Sequence, residues 1–286
     1  MENKNKIKNF LKIILKIFVL LLAMTIFTGG IMLYLSIIFY GQTYFTRDYK
    51  NANLVMLMGT TGQLLAAIFF VKIILKKKID YIFFKTEGLA KNIGIGLLLG
   101  FLQISIYVLL DMGRGALEYS GSSYGNFNLI FLAYFIAFFI QSTSEEVLVR
   151  GILTRALSDR FGKNVAILLP SIVFGLLHLG NEGVTILSTL NTILVGIFFA
   201  KLLFYKDNIM LTSGVHAGWN FSMAMIYGLN VSGFSGFDSL LNFKILNYNL
   251  YDEIYGPEGS IVVTFIEIIS IFIIFYLERR KKIKNR

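Results

Sequence analysis

The stretch 129-LIFLAYFIAFFIQSTSEEVLVRGI-152 carries two messages. From Leu129 to Ile140 it is an unbroken apolar run, and the whole stretch exceeds the roughly 20 residues that a helix needs to cross a bilayer core. Its second half nevertheless holds Glu145, Glu146 and Arg150. Ionisable groups inside a span are costly, so each is a candidate functional residue. Glu146 and Arg150 are four apart, share a helix face and can pair. Glu145 points about 100° away from Glu146. One carboxylate is then held by the arginine while its neighbour stays available. The plainer alternative is that both glutamates pair with basic groups and only brace a bundle.

The same apolar signature recurs along the chain. Candidate spans run from Leu11 to Tyr40, Leu54 to Leu75, Ile93 to Leu110, Leu129 to Ile152, Val165 to Leu179, Val184 to Phe204, Ile209 to Leu229 and Ile261 to Leu277. The expected fold is all-α, a polytopic membrane protein of about eight transmembrane helices forming one domain over residues 1–286. The fifth span is short enough to stop inside the membrane. The Lys-rich start resembles a signal peptide, but its apolar stretch is too long, which favours a retained first helix.

Composition agrees. Of 286 residues 56% are hydrophobic and only 15% charged, against roughly 25% charged in soluble domains. Mean hydropathy is +0.68. With no Cys, disulfides, thiolate zinc sites and cysteine nucleophiles are excluded. The net charge of +10 is a topology signal before it is a nucleic-acid signal. With the amino terminus inside and eight alternating helices, 23 of the 27 basic residues fall on the inner side. Only Arg47, Lys50, Arg114 and Lys244 fall outside. Both termini are therefore expected in the cytoplasm. The cluster Lys76 to Lys78 and the tail Arg279 to Arg286 are expected to attract anionic lipid, with no nucleic-acid partner.

Two further spans carry the only two histidines, His178 and His216. His178 lies four residues after Phe174, so the ring can wall or orient the imidazole. His216 lies four before Asn220. One Glu, two His and an Asn can build a hydrolytic site. A buried carboxylate takes a proton from water, an imidazole orients that water, and His with an Asn amide stabilises an oxyanion. Glu145, His178 and His216 are equally a conceivable zinc set with an open position. The compact His-Glu-x-x-His motif is absent. Reckoned at 1.5 Å per residue, Glu145 and His178 lie roughly 20–24 Å from the inner helix ends and His216 about 10 Å. That places a site in the cytoplasmic half of the membrane or near its midplane.

Taken in order, Glu145-Glu146-x-x-x-Arg150, Phe174-x-x-x-His178 and His216-x-x-x-Asn220 resemble the motif triad of the CPBP family, the CAAX-type and bacteriocin-processing (Abi) intramembrane proteases. The resemblance covers about Leu129 to Leu229 and is closest to the bacterial type, which implies a multi-pass protein of a bacterial cell membrane. It implies an endopeptidase acting on a peptide or membrane-protein substrate, with a site opening toward the cytoplasm. Carried over by position, Glu145 and His178 activate water, His216 and Asn220 form the oxyanion hole, and Glu146, Arg150 and Phe174 support them. A metal-free glutamate mechanism is favoured, with zinc as the alternative cofactor. The rival readings are a non-proteolytic scaffold or bacteriocin-immunity protein of the same fold, and a transporter.

Smaller features complete the reading. Gly233-Phe234-Ser235-Gly236 fits a rhomboid-type serine motif but lies in a loop with no later His, and reads as a turn. Gly96 and Gly100 suggest close helix packing. Asn191 suggests an interhelical hydrogen bond. Glu267, in the last span, has no partner that the sequence names. The connection from Asn230 to Ser260, the longest between spans, is expected to cap the outer face.

Overall fold

A computed structural model describes residues 2–40 and 52–284. Arg47, Lys50 and Arg286 of the charge count lie outside the described residues. Eight helical columns correspond to the eight expected spans. They are α1 (Glu2–Tyr40), α2 (Ala52–Ile74), α3 (Leu89–Gly113), α4 (Leu129–Phe161), α5 (Lys163–Leu177), α6 (Ile186–Lys206), α7 (Ile209–Phe221) and α8 (Ile261–Lys284). Six of them are long and apolar enough to cross a membrane; α5 is a shorter apolar helix, and α7 runs on through a π turn, Ser222–Ile226. The fold is an all-α polytopic membrane protein. It adds one feature that the helical reading lacked. The strand β1 (Leu117–Ser122), before α4, pairs antiparallel with β2 (Leu241–Ile245), inside the long α7–α8 connection.

Local chemistry sets the helix ends. Asn128 caps α4 by accepting from the Ile130 and Phe131 amides. Thr185 and Ser188 form a reciprocal capping box at α6. Asn208 accepts from the Met210 amide at the start of α7. Only Gly162 separates α4 from α5, at φ +82°, a conformation that favours glycine and turns the chain sharply back.

The helix connections gather at two ends. At one end lie both chain-terminal helix ends and the α2–α3, α4–α5 and α6–α7 linkers. Lys85 pairs with Asp207, Lys163 and Lys201 with Glu278, and Tyr81 meets Asp159. At the other end lies the α7–α8 connection. Arg114 donates to the Leu250 carbonyl and Ser260 hydroxyl, and Asn181 to the Ser232 carbonyl. Arg150 does not belong among the surface charges of the first end. It is fully buried inside α4 and carries no topology information, although the charge asymmetry survives its removal.

α3 and α7 approach most closely through glycine on both sides. A Cβ added at Gly96 or Gly100 would strike the Leu211 or Val215 carbonyl of α7, and one at Gly218 would strike Leu97. The second glycine pair, Gly214 and Gly218, brackets His216. Small residues at such seams let backbones touch where no apolar effect between helices drives association. Gly100→Leu is therefore expected to destabilise the fold by at least the 1–3 kcal/mol typical of about one overpacked position, read as a lower thermal midpoint in detergent.

Candidate active site

A cavity of about 420 Å³ lies among α1 to α8, and its lining includes Glu145, Phe174, His178, His216 and Asn220. Five motif residues drawn from three separate helices thus face one space. Glu146 and Arg150 lie immediately behind it.

Helix α4 supplies the carboxylates. Directly after Glu146 its backbone widens into a π turn over Val147–Leu153, a distortion that recurs at functional sites. Arg150 Nη1 donates to Glu146 Oε1 at 3.1 Å, and both side chains are 0% exposed. The guanidinium also lies 4.1 Å from the Phe174 ring centroid and 5.3 Å from that of Phe199. Two aromatic faces and one carboxylate thus compensate a cation that has no access to water. Phe174 does more than wall His178: its ring packs edge-on to both imidazoles, 4.7 Å from His178 and 6.1 Å from His216.

The two imidazoles are held differently. His178 Nδ1 lies 2.8 Å from the Phe174 carbonyl oxygen, four residues earlier. A carbonyl only accepts, so Nδ1 carries the proton and donates. In the neutral ring Nε2 then has a free lone pair. His216 lies between the adjacent glutamates. Its Nδ1 is 3.2 Å from Glu146 Oε1, and its Nε2 is 3.8 Å from Glu145 Oε2. Glu146 only accepts, so it fixes the Nδ1 proton on His216.

Glu145 is bound on one side only. Gln141 Nε2 donates to Glu145 Oε1 at 2.5 Å, whereas Oε2 is buried with no hydrogen-bond partner among the described residues. The same Gln141 accepts from Asn220 Nδ2 at 3.3 Å. Gln141 thus links the Glu145 and Asn220 side chains from α4 to α7. Sequence reading passed over it, although a polar residue in a span one turn before Glu145 was the available signal.

The α7–α8 connection closes the cavity at one end. It contributes Val231, Ser232, Phe234, Phe237 and Glu258 to the lining. The Ser232 amide and hydroxyl donate to Glu258 Oε2 at 2.7 and 2.6 Å. Burial pushes the Glu258 carboxyl up from its ordinary range, against lowering by Ser232 and by His178. Asn191 makes contacts across elements and also lines the cavity. It donates to the Glu258 and Ser260 carbonyls and accepts from Thr264 of α8. Glu267, only 2% exposed, lines the cavity too, and its Oε2 has no partner among the described residues. The Gly233-Phe234-Ser235-Gly236 stretch is a turn: the Phe234 amide donates to the Val231 carbonyl, and Asn53 of α2 donates to the Ser235 carbonyl.

Among the described residues no three His, Asp or Glu side chains are grouped to hold one metal ion, although the His178 Nδ1–H on a backbone carbonyl leaves its Nε2 free as a donor.

No curated protein matches the chain. Residues 127–222, the segment holding every motif residue, match the family described as type II CAAX prenyl endopeptidase Rce1-like. Over that segment, about a third of the chain, the helices that bring Glu145, His178, His216 and Asn220 to one cavity are similar to the Rce1-like CAAX-type endopeptidases.

Proposed function

We propose that the protein is a metal-free intramembrane endopeptidase with Glu145 as general base. The observation that carries this reading is the asymmetric binding of Glu145: one oxygen is held by Gln141, and the other is buried, without a hydrogen-bond partner among the described residues, in a side chain that lines the cavity. A water in the cavity donates one proton toward Glu145 Oε2 and the other toward His178 Nε2. Its oxygen attacks the scissile carbonyl carbon as Glu145 takes a proton. In its imidazolium form His216 donates from Nδ1 to Glu146 and from Nε2 into the cavity. Asn220 keeps one amide N–H beyond the one bound to Gln141. Together they bind the oxyanion. When the C–N bond breaks, the proton on Glu145 passes to the leaving amine, and the balance closes without a cofactor.

Glu146, Arg150 and Phe174 act through His216 and His178 as positioning residues. The substrate is a peptide or a segment of a membrane protein, and the termini are cytoplasmic by the charge asymmetry. The test is terminal-peptide mapping on a proteome-derived library, using reconstituted wild type beside Glu145→Gln and His178→Ala. Cleavages made by wild type and lost in both variants are expected. Retained cleavage sinks the mechanism, while binding without cleavage by wild type would mark a scaffold or immunity protein.

Asn220→Ala removes one oxyanion donor. A fall of about 10²–10³-fold in kcat is expected, with little change in KM. Single-turnover assays would separate the two.

A further inference from the structure

Cytoplasmic termini and a cytoplasm-facing site cannot both hold in this fold. The cavity lining draws on the start of α2 at Asn53, on Asn181 after α5, and on Val231, Ser232, Phe234, Phe237 and Glu258 of the α7–α8 connection. All of these belong to the end opposite the terminal helix ends. No described residue in 64–102, 150–173 or 200–214 lines it, so the linkers of the basic end contribute nothing. That end is sealed. Ile82 and Phe83 of the α2–α3 linker pack with Phe70, Val147, Ile152, Leu203, Ile209 and Met210 in one buried apolar cluster. The Ile209 amide donates to the Phe83 carbonyl across it at 3.0 Å. Above this plug sits the buried Arg150–Glu146 pair.

The basic residues on the sealed end include Lys72, Lys76, Lys77, Lys78, Lys85, Lys163, Lys206 and the α8 tail, whereas the loop end carries only Arg114 and Lys244 among the described residues. Positive charge is retained on the cytoplasmic side. We propose that the cavity is reached from the extracytoplasmic face, so that the substrate is an exported peptide or an outward-facing segment of a membrane protein. This rests on the proposed site for what happens in the cavity, but the direction of access rests only on where the cavity lies.

The cysteine-free chain allows a direct test that needs no catalytic turnover. Single cysteines are placed in the full-length protein at Phe234 and Ser235 in the loop, at Thr192 inside the cavity, and at Lys77 and Lys282 on the basic end. Intact cells are treated with a small, anionic, membrane-impermeant thiosulfonate, then compared with permeabilised cells. Phe234→Cys, Ser235→Cys and Thr192→Cys are expected to react in intact cells as fully as after permeabilisation. Lys77→Cys and Lys282→Cys are expected to react only after it. Reaction of the basic-end positions in intact cells, or of the loop positions only after permeabilisation, overturns the orientation. Labelled loop positions with a Thr192→Cys that is protected in intact cells and reactive after permeabilisation overturn the outward opening. Absence of cleavage by wild type in the assay above, or cleavage retained in both variants, with this labelling pattern intact would sink the hydrolytic reading alone.

Discussion

Glu145→Gln is expected to lower peptide-bond hydrolysis by about 10²–10⁴-fold, the range that a positioned general base contributes. The substitution keeps the shape of the side chain and an oxygen for the Gln141 amide, so the Gln141–Asn220 link survives. What it removes is the oxygen that accepts a proton from water. Thermal stability in detergent should therefore stay close to wild type while turnover falls. His216 Nε2 also loses its anionic neighbour at 3.8 Å. Equal turnover in wild type and Glu145→Gln, measured on the same cleavage product, would remove Glu145 from the mechanism.

Arg150→Ala should have the largest effect on stability. Removing one partner of a buried ion pair costs about 3–5 kcal/mol, because the remaining charge is left uncompensated. Here Glu146 would keep only His216 Nδ1 at 3.2 Å. The cost includes lost packing, since the guanidinium fills the space between the Phe174 and Phe199 rings. The double variant Glu146→Gln with Arg150→Met fills that space and leaves no unpaired charge. It should recover most of the stability, as buried pairs replaced by apolar groups often do. It should not recover turnover, because the Glu146 charge that supports the imidazolium form of His216 is gone. Thermal unfolding and initial rates, measured on both variants, separate the structural role from the positioning role. Recovery of both would reduce the pair to a structural brace.

The helix α4 shows how far one segment can be read. Its apolar run from Leu129, its polar second half, and the pairing of Glu146 with Arg150 all follow from a 3.6-residue repeat and from the cost of charge in lipid. The i to i+4 pair forms even though the π turn begins between its members. Gln141 was legible in the same way and was missed, because a single amide in a span is also an ordinary interhelical hydrogen bond. Counting Arg150 as a loop charge was an error of the same kind. A carboxylate one turn away and two aromatic rings hold it inside, away from the loop charges.

Long-range neighbours were beyond reach. Gly214 and Gly218 bracket His216, but their purpose appears only when α3 brings Gly96 and Gly100 against them. Glu258 lies in a polar loop like many others, and only the fold of that loop puts its carboxylate on Ser232 and in reach of His178. Glu267 has no sequence neighbour that explains it.

The amino-acid sequence alone determined the membrane class, the eight helical columns, the charge asymmetry and the motif residues. Each depends on local periodicity, on composition, or on the cost of moving a charged group out of water. Tertiary structure decided which oxygen of Glu145 is free, which nitrogen of each histidine carries its proton, and which end of the bundle is plugged. Those depend on distances between helices far apart in the chain. A repeat of 3.6 residues specifies which way a side chain points from its own helix, and only packing specifies what it meets there.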